Sequence, residues 1–220
     1  MLKLYHQPIS FNSRRPWIAL LEKGLDFELI EMKLDGDQFQ PEFVALNPFH
    51  HIPVLVDDDF RVVESLAILD YLEAKYPTPA LLPKEEKALA IVRMVEMLTI
   101  NELLPAMNPL LRQMMELDND PQKLEEAKLK SATVLAFFEQ LLGDRSYFGS
   151  EQLTLADIVA GSTIPLLPQM GLPLDVYPQL NAWCDRLMQR PSWQTTQPTP
   201  ETIEAFKSRI KVLMAKSQPQ

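Results

Sequence analysis

Leu46-Asn47-Pro48-Phe49-His50-His51-Ile52-Pro53-Val54-Leu55-Val56, followed by Phe60-Arg61-Val62-Val63-Glu64-Ser65-Leu66-Ala67-Ile68-Leu69-Asp70-Tyr71-Leu72, reads as a turn, a strand, a hairpin, a second strand and the start of a helix. Val54 to Val56 is β-branched and apolar, the acidic triplet Asp57 to Asp59 suits a hairpin loop, and Phe60 to Val63 resumes the β-type run. Ser65 has the position of a helix N-cap. Pro53 stands at the mouth of a strand, where its missing N–H costs no ladder bond. A cis bond there would turn the Ile52 N–H and C=O outward, where an extended peptide can pair with them. One hairpin downstream, Glu64 offers an acceptor for an ammonium group, and Ser65 with the helix N-terminus offers donors for a carboxylate. The two groups together are those of an α-amino acid end.

These residues resemble the N-terminal domain of the glutathione transferase family, whose glutathione-binding half carries a cis proline after Val or Ile and a Glu-Ser pair that holds the γ-glutamyl end. The resemblance, to a serine-type, theta- or phi-like bacterial member, spans almost the whole chain. It implies glutathione as co-substrate, with Ile52, Pro53, Glu64 and Ser65 in its binding site. It also implies a homodimer, for which Phe49, apolar in a polar loop, is a plausible contact.

The chain upstream holds the candidate for chemistry. Lys3 to His6 is a strand candidate, and an amphipathic helix follows through Trp17, Ile18, Leu20 and Leu21, stopped at Gly24. Pro16 fits the first turn of a helix, so the spacing predicts an N-cap at Asn12 or Ser13 and leaves the Ser10 hydroxyl in the loop before it. Tyr5-His6-Gln7-Pro8-Ile9-Ser10-Phe11-Asn12-Ser13-Arg14-Arg15 is similar to the segment in which serine-type transferases place their activating serine four residues before an arginine. Ser10 stands four before Arg14. Its expected role is a hydrogen bond to a bound thiolate. Phe27 to Met32 is a further strand, and Leu34 to Gln40 a polar loop ahead of a short turn at Pro41 to Val44. In the family this loop serves the glycyl carboxylate; here it offers Gln38, with His51 sharing the contact and His50 directed to a surface or subunit contact.

The helix from Ser65 stops before Pro77, so the expected organisation is an α/β thioredoxin-like domain over 1–77, a linker over 78–85 and an all-α domain over 86–220. Glu85 to Leu117 is helical but interrupted by Pro105 and Pro109, Leu124 to Leu142 is a second helix, and Thr154 to Asp157 is a capping box with Leu153 and Ile158 as its staple. Pro165 is expected to kink that helix. Leu180 to Arg190 and Thr202 to Lys216 complete the set, with Ser217 to Gln220 frayed. Phe11, Met107, Leu110, Leu111 and Met114 are candidates for an apolar wall receiving the electrophile, although a Met and Leu stripe is also what a plain helical core shows.

Composition bounds the alternatives. The 21 basic and 30 acidic residues give a net charge of -9, which argues against nucleic acid and anionic membrane as partners. The one cysteine, Cys184, sits in a helical pattern and suits packing in a reducing compartment. A signal-peptide pattern and a membrane-length apolar run are both missing, and the expected location is cytoplasmic. The sequence lacks a Gly-x-Ser-x-Gly elbow and a phosphate-binding Gly-rich loop, and adjacent His50-His51 lacks the spacing of a helical metal pair, so no metal is expected. The leading reading is conjugation of the glutathione thiolate to small hydrophobic electrophiles, a detoxification reaction. The alternatives are a glutathione-dependent peroxidase or isomerase on the same fold, or a non-catalytic glutathione-binding module.

Overall fold

A computed structural model describes residues 1–117 and 119–216. The expected fraying at 217–220 lies outside them. The chain divides into two compact units, the first Met1–Leu81 with Arg190–Thr202, the second Leu82–Gln189 with the described chain from Ile203. The division at Leu81 falls inside the stretch read as a linker. Residues 190–202, read as part of the helical half, instead join the first unit.

In the first unit β1 (Leu2–His6), α1 (Phe11–Glu22), β2 (Phe27–Glu31), α2 (Pro41–Leu46), β3 (Val54–Asp57), β4 (Phe60–Val63) and α3 (Ser65–Lys75) follow in order, with α9 (Pro191–Thr196) returning from far along the chain. The sheet runs β2-β1-β3-β4, with β1 parallel to β2 and the other pairings antiparallel. Strand alternation sends Leu4 to one face and Tyr5 to the other. Leu4 is buried with Ile18, Leu20, Ile68, Leu69 and Leu72 of α1 and α3, while Tyr5 meets Phe43 of α2 with ring centroids 5.9 Å apart. Fully buried Lys23 Nζ closes the C-terminal end of α1 by donating to Glu73 (2.6 Å) and to the Tyr76 and Pro79 carbonyls (2.7 and 2.9 Å), which saturates its three hydrogens. α9 is tied to α1 by Arg190, whose Nε donates to Glu22 at 2.8 Å, and by the Ser192 hydroxyl on the same carboxylate.

The second unit is helical: α4 (Glu86–Leu98), α5 (Leu104–Met114), α6 (Pro121–Leu142), α7 (Leu155–Gly161), α8 (Pro178–Met188) and most of α10 (Pro200–Lys216). Between α4 and α5, Thr99–Leu103 forms one π-helical turn, in which the Leu104 N–H reaches back to Thr99. The wider ring absorbs the N–H that Pro105 lacks, so the expected break is a widened turn. α7 ends at Gly161, ahead of Pro165, and a 3₁₀ segment at Ile164–Met170 replaces the expected kinked helix. Phe138, Phe148 and Trp183 stack edge to face at 5.6 and 5.3 Å in the core. Asp157 sits fully buried beside them, accepting from the Phe148 N–H (3.0 Å), Trp183 Nε1 (2.8 Å), the Thr154 N–H (2.7 Å) and the Thr154 hydroxyl (2.8 Å). Burial pushes its pKa up to about 6 against these donors, and its role is structural.

Candidate functional site

The strand register gathers the candidate residues. Val54, the first residue of β3, pairs with Tyr5 near the end of β1 on one side and with Val63, the last residue of β4, on the other. The loop that carries Ser10 therefore emerges beside the turn holding Ile52 and Pro53, and Glu64 emerges on that turn's other flank. Because β2 runs parallel to β1, with His6 opposite Glu31, the loop containing Gln38 leaves from the same end of the sheet.

Ser10, and neither Asn12 nor Ser13, is the N-cap of α1. Its backbone is extended (φ -71, ψ 118), and its Oγ accepts from the Ser13 N–H at 3.3 Å. Ser13 is fully buried, its own Oγ accepting from the Gln7 N–H at 3.3 Å. The expected cap was too late because Pro16 is tolerated at the sixth helical position: only the Asn12 carbonyl loses its helical donor, and Asn12 is exposed to water. Gln7 fixes the loop, its Oε1 accepting from the Ile9 N–H (3.1 Å) and its Nε2 donating to the Met32 carbonyl (3.3 Å). A serine that caps by accepting keeps its own hydrogen to donate, so capping and thiolate binding are compatible in one hydroxyl.

Ser65 is placed differently. It is the first residue of α3 and not its cap, which is Glu64, and its buried Oγ accepts from Arg15 Nη1 at 3.1 Å. The same Nη1 donates to Asn12 Oδ1 at 2.8 Å, so Arg15 ties the start of α1 to the start of α3. Sequence reasoning missed Arg15. Its signal was two arginines in the opening turns of a helix, where the dipole favours acidic side chains. Arg14 is also buried, and desolvation lowers its pKa to about 10. The two helix N-termini and these guanidinium groups make this end of the sheet favourable for anions.

Glu64 is exposed and held at φ 69, ψ 121, a conformation that costs a residue with a Cβ about 1 to 3 kcal/mol. The Ile52–Pro53 bond is cis, as expected, and so is Thr78–Pro79. Among the described residues no hydrogen bond involves the backbone N or O of Ile52. Gln38 is half-exposed in a 3₁₀ turn (Asp37–Phe39), its Oε1 accepting from the Gly36 N–H at 3.1 Å. His51 is exposed, and its carbonyl is fixed by Asn47 Nδ2 at 2.8 Å. His50, expected at a surface or subunit contact, is half-buried, with its Nδ1 3.1 Å from the Gln38 carbonyl oxygen. Of the apolar candidates, Met107 and Leu110 have no exposed surface, whereas Phe11, Leu111 and Met114 remain partly exposed. Among the described residues no cluster of three His, Cys, Asp or Glu side chains could hold a metal, and no helix is long and apolar enough to cross a membrane.

Comparison with known proteins identifies the family. Residues 4–80 match the glutathione S-transferase N-terminal domain, and residues 73–191 the C-terminal domain. Glutathione S-transferase F6 of Arabidopsis thaliana is 32% identical, over 88% of this chain and 97% of its own length. Maleylacetoacetate isomerase of Pseudomonas aeruginosa is 31% identical, over 93% of this chain and 100% of its own. The theta-class glutathione S-transferase of Xanthomonas axonopodis pv. citri, solved with glutathione bound, superposes with a TM-score of 0.80 at 27% identity, covering 90% of this chain and 97% of its own. With both domains matched in order and relatives aligned over nearly their full length, the chain belongs to the glutathione S-transferase family.

Proposed function

We propose that the chain binds glutathione at this end of the sheet and transfers its thiolate to small apolar electrophiles. The observation that carries the reading is the Ser10 hydroxyl, oriented by the Ser13 N–H it accepts and left with a hydrogen to donate at the N-terminus of α1. A thiol of pKa near about 8.5 is mostly protonated at neutral pH. Lowering that value by two units takes about 2.7 kcal/mol of preferential stabilisation of the anion. One hydroxyl donor, the helix N-terminus and the nearby guanidinium charge together have that order of strength. The thiolate then attacks an electrophilic carbon, a C–S bond forms, and a leaving group departs with its electron pair. Serine acts as a donor throughout and forms no covalent bond.

In this reading Glu64 accepts from the γ-glutamyl ammonium, and the Ser65 hydroxyl with the α3 N-terminus receives its carboxylate. The backbone of Ile52, ahead of Pro53, pairs with the cysteinyl residue, and Gln38 and His51 serve the glycyl end. Phe11 of α1, and Met107, Leu110, Leu111 and Met114 of α5, are the residues assigned to the electrophile. The protein works as a cytoplasmic homodimer in detoxification, and Phe49, 64% exposed, is a candidate subunit contact. The similarity to maleylacetoacetate isomerase over that protein's whole length favours one second reading, a glutathione-dependent isomerisation on the same site.

Calorimetric titration with glutathione tests the site. Glu64→Ala should weaken binding by about 1.5 to 3 kcal/mol, the worth of a charged hydrogen bond. Unchanged affinity would remove Glu64 from the site. Conjugation and isomerisation assays run side by side then separate the two reactions.

A further inference from the structure

We propose that Gln7 is a positioning residue that aims the Ser10 hydroxyl at the thiolate, an inference that rests on the mechanism proposed above. Gln7 opens the turn Gln7-Pro8-Ile9-Ser10, which the Ser10 N–H closes by donating to the Gln7 carbonyl at 3.0 Å. Pro8 stands at the turn's second position, where its fixed φ fits and its missing N–H has no bond to make. The Ile9 N–H is then the donor left inside the turn, and Gln7 Oε1 accepts it at 3.1 Å. The same amide reaches out of the loop, its Nε2 donating to the Met32 carbonyl at 3.3 Å. An amide carries acceptor and donor on one rigid plane, so a single side chain ties the turn to itself and to the strand end beside it.

Met32 is a firm anchor. It is buried in an apolar cluster with Phe43 and Val54, and its N–H donates to the His6 carbonyl at 2.7 Å, so its own carbonyl is held in place. Gln7 is itself buried, which keeps water from replacing either side-chain bond at no cost. Ser10 sits where this anchored loop meets α1. On the helix side its Oγ accepts from the Ser13 N–H at 3.3 Å and its carbonyl from the Arg14 N–H at 3.0 Å. On the loop side its N–H is fixed by Gln7. The backbone on both sides of Ser10 is thereby set, and with it the direction of the one hydroxyl hydrogen left to donate. Loosening Gln7 leaves the helix side intact and lets the loop side move, which misdirects that hydrogen without removing it.

Gln7→Met keeps the length of the side chain and removes both polar atoms. The pKa of bound glutathione, read by thiolate absorbance, should rise by about 0.5 to 1 unit, the scale of one neutral hydrogen bond weakened. The acid limb of the kcat profile should move up by the same amount. S-methylglutathione, whose sulfur cannot ionise, should bind with the parent's affinity. In a Ser10→Ala background the same substitution should leave the thiolate pKa where Ser10→Ala alone puts it, because the group it positions is gone. An equal shift with and without Ser10, no shift in Gln7→Met, or weakened S-methylglutathione binding overturns the proposal. If Ser10→Ala itself leaves the titration unmoved, the mechanism above falls and this proposal with it; if only Gln7→Met leaves it unmoved, this proposal falls alone. Should Gln7→Met not fold, Gln7→Glu takes its place, keeping the acceptor for Ile9 and losing the donor to Met32. The direct effect of its charge on the sulfur is present with and without Ser10 and cancels in the cycle.

Discussion

In the mechanism proposed above, Ser10 combines two tasks that sequence spacing assigns to different residues, and the combination changes what its removal should do. Ser10→Ala should raise the pKa of bound glutathione and also cost about 1 kcal/mol of stability through the lost cap. Ser13→Ala should leave the thiolate titration in place and cost about 1 to 3 kcal/mol, because the buried Gln7 N–H loses its acceptor. Thiolate absorbance against pH, beside thermal melts of both variants, checks the pair. Glu64 invites the opposite trade. Glu64→Gly should stabilise the protein by about 1 kcal/mol by relieving the positive φ while weakening glutathione binding, read by melts and calorimetry together. Ile52, Pro53, Glu64 and Ser65 were legible in sequence because a strand mouth and a helix start leave local signatures. Arg15 and His50 were not, since their partners Ser65 and Gln38 lie 50 and 12 residues away and no local rule links them.

Prolines were the main source of misread elements. α6, α8 and α10, expected from Leu124, Leu180 and Thr202, begin two or three residues earlier on Pro121, Pro178 and Pro200, and α9 begins on Pro191, all first-turn positions where the missing N–H has no partner to lose. The six-residue α9 was missed altogether for this reason, because Pro191 reads equally as the end of α8. The capping box at Thr154 was legible, its two residues being three apart. The loop before it was not. Gly149 has φ +72, and a Cβ there would stand 2.7 Å from the Ala88 carbonyl oxygen of α4. Gly149→Ala should therefore lower stability by about 1 to 3 kcal/mol, the usual cost of overpacking, in a denaturant titration with unchanged slope. Gly143→Ala serves as comparison: it shares a positive φ but meets nothing closer than 3.9 Å, so it should carry the conformational cost alone.

Across the whole molecule, acid acts on the two units in opposite directions. In the first, His6 is buried with its ring edge against Trp17, and desolvation pushes its pKa down to about 4 from 6.5. Its unfolded form binds the proton more readily, so its contribution is complete above pH 6.5 and is lost as pH falls toward 4. In the second, Asp157 is pushed up to about 6 from 3.8, so the penalty for its charge is absent below 3.8 and grows as pH rises through 6. Denaturant titrations between about pH 4 and 6.5 should show stability rising with pH in Asp157→Asn and falling in His6→Phe, with the parent flatter than either. The discontinuous first unit has another consequence, one of timing. Translation delivers β1 to α3 first, but α9, which the Arg190 and Ser192 contacts dock onto Glu22, arrives only after residue 190. At about 5 to 20 residues per second, the ribosome needs about 6 to 24 s to lengthen the chain from Leu81 to Thr202. For that interval the nascent sheet holds an uncovered flank of α1, and a chaperone that shields it should raise the yield of native protein more when present during synthesis than when added afterwards.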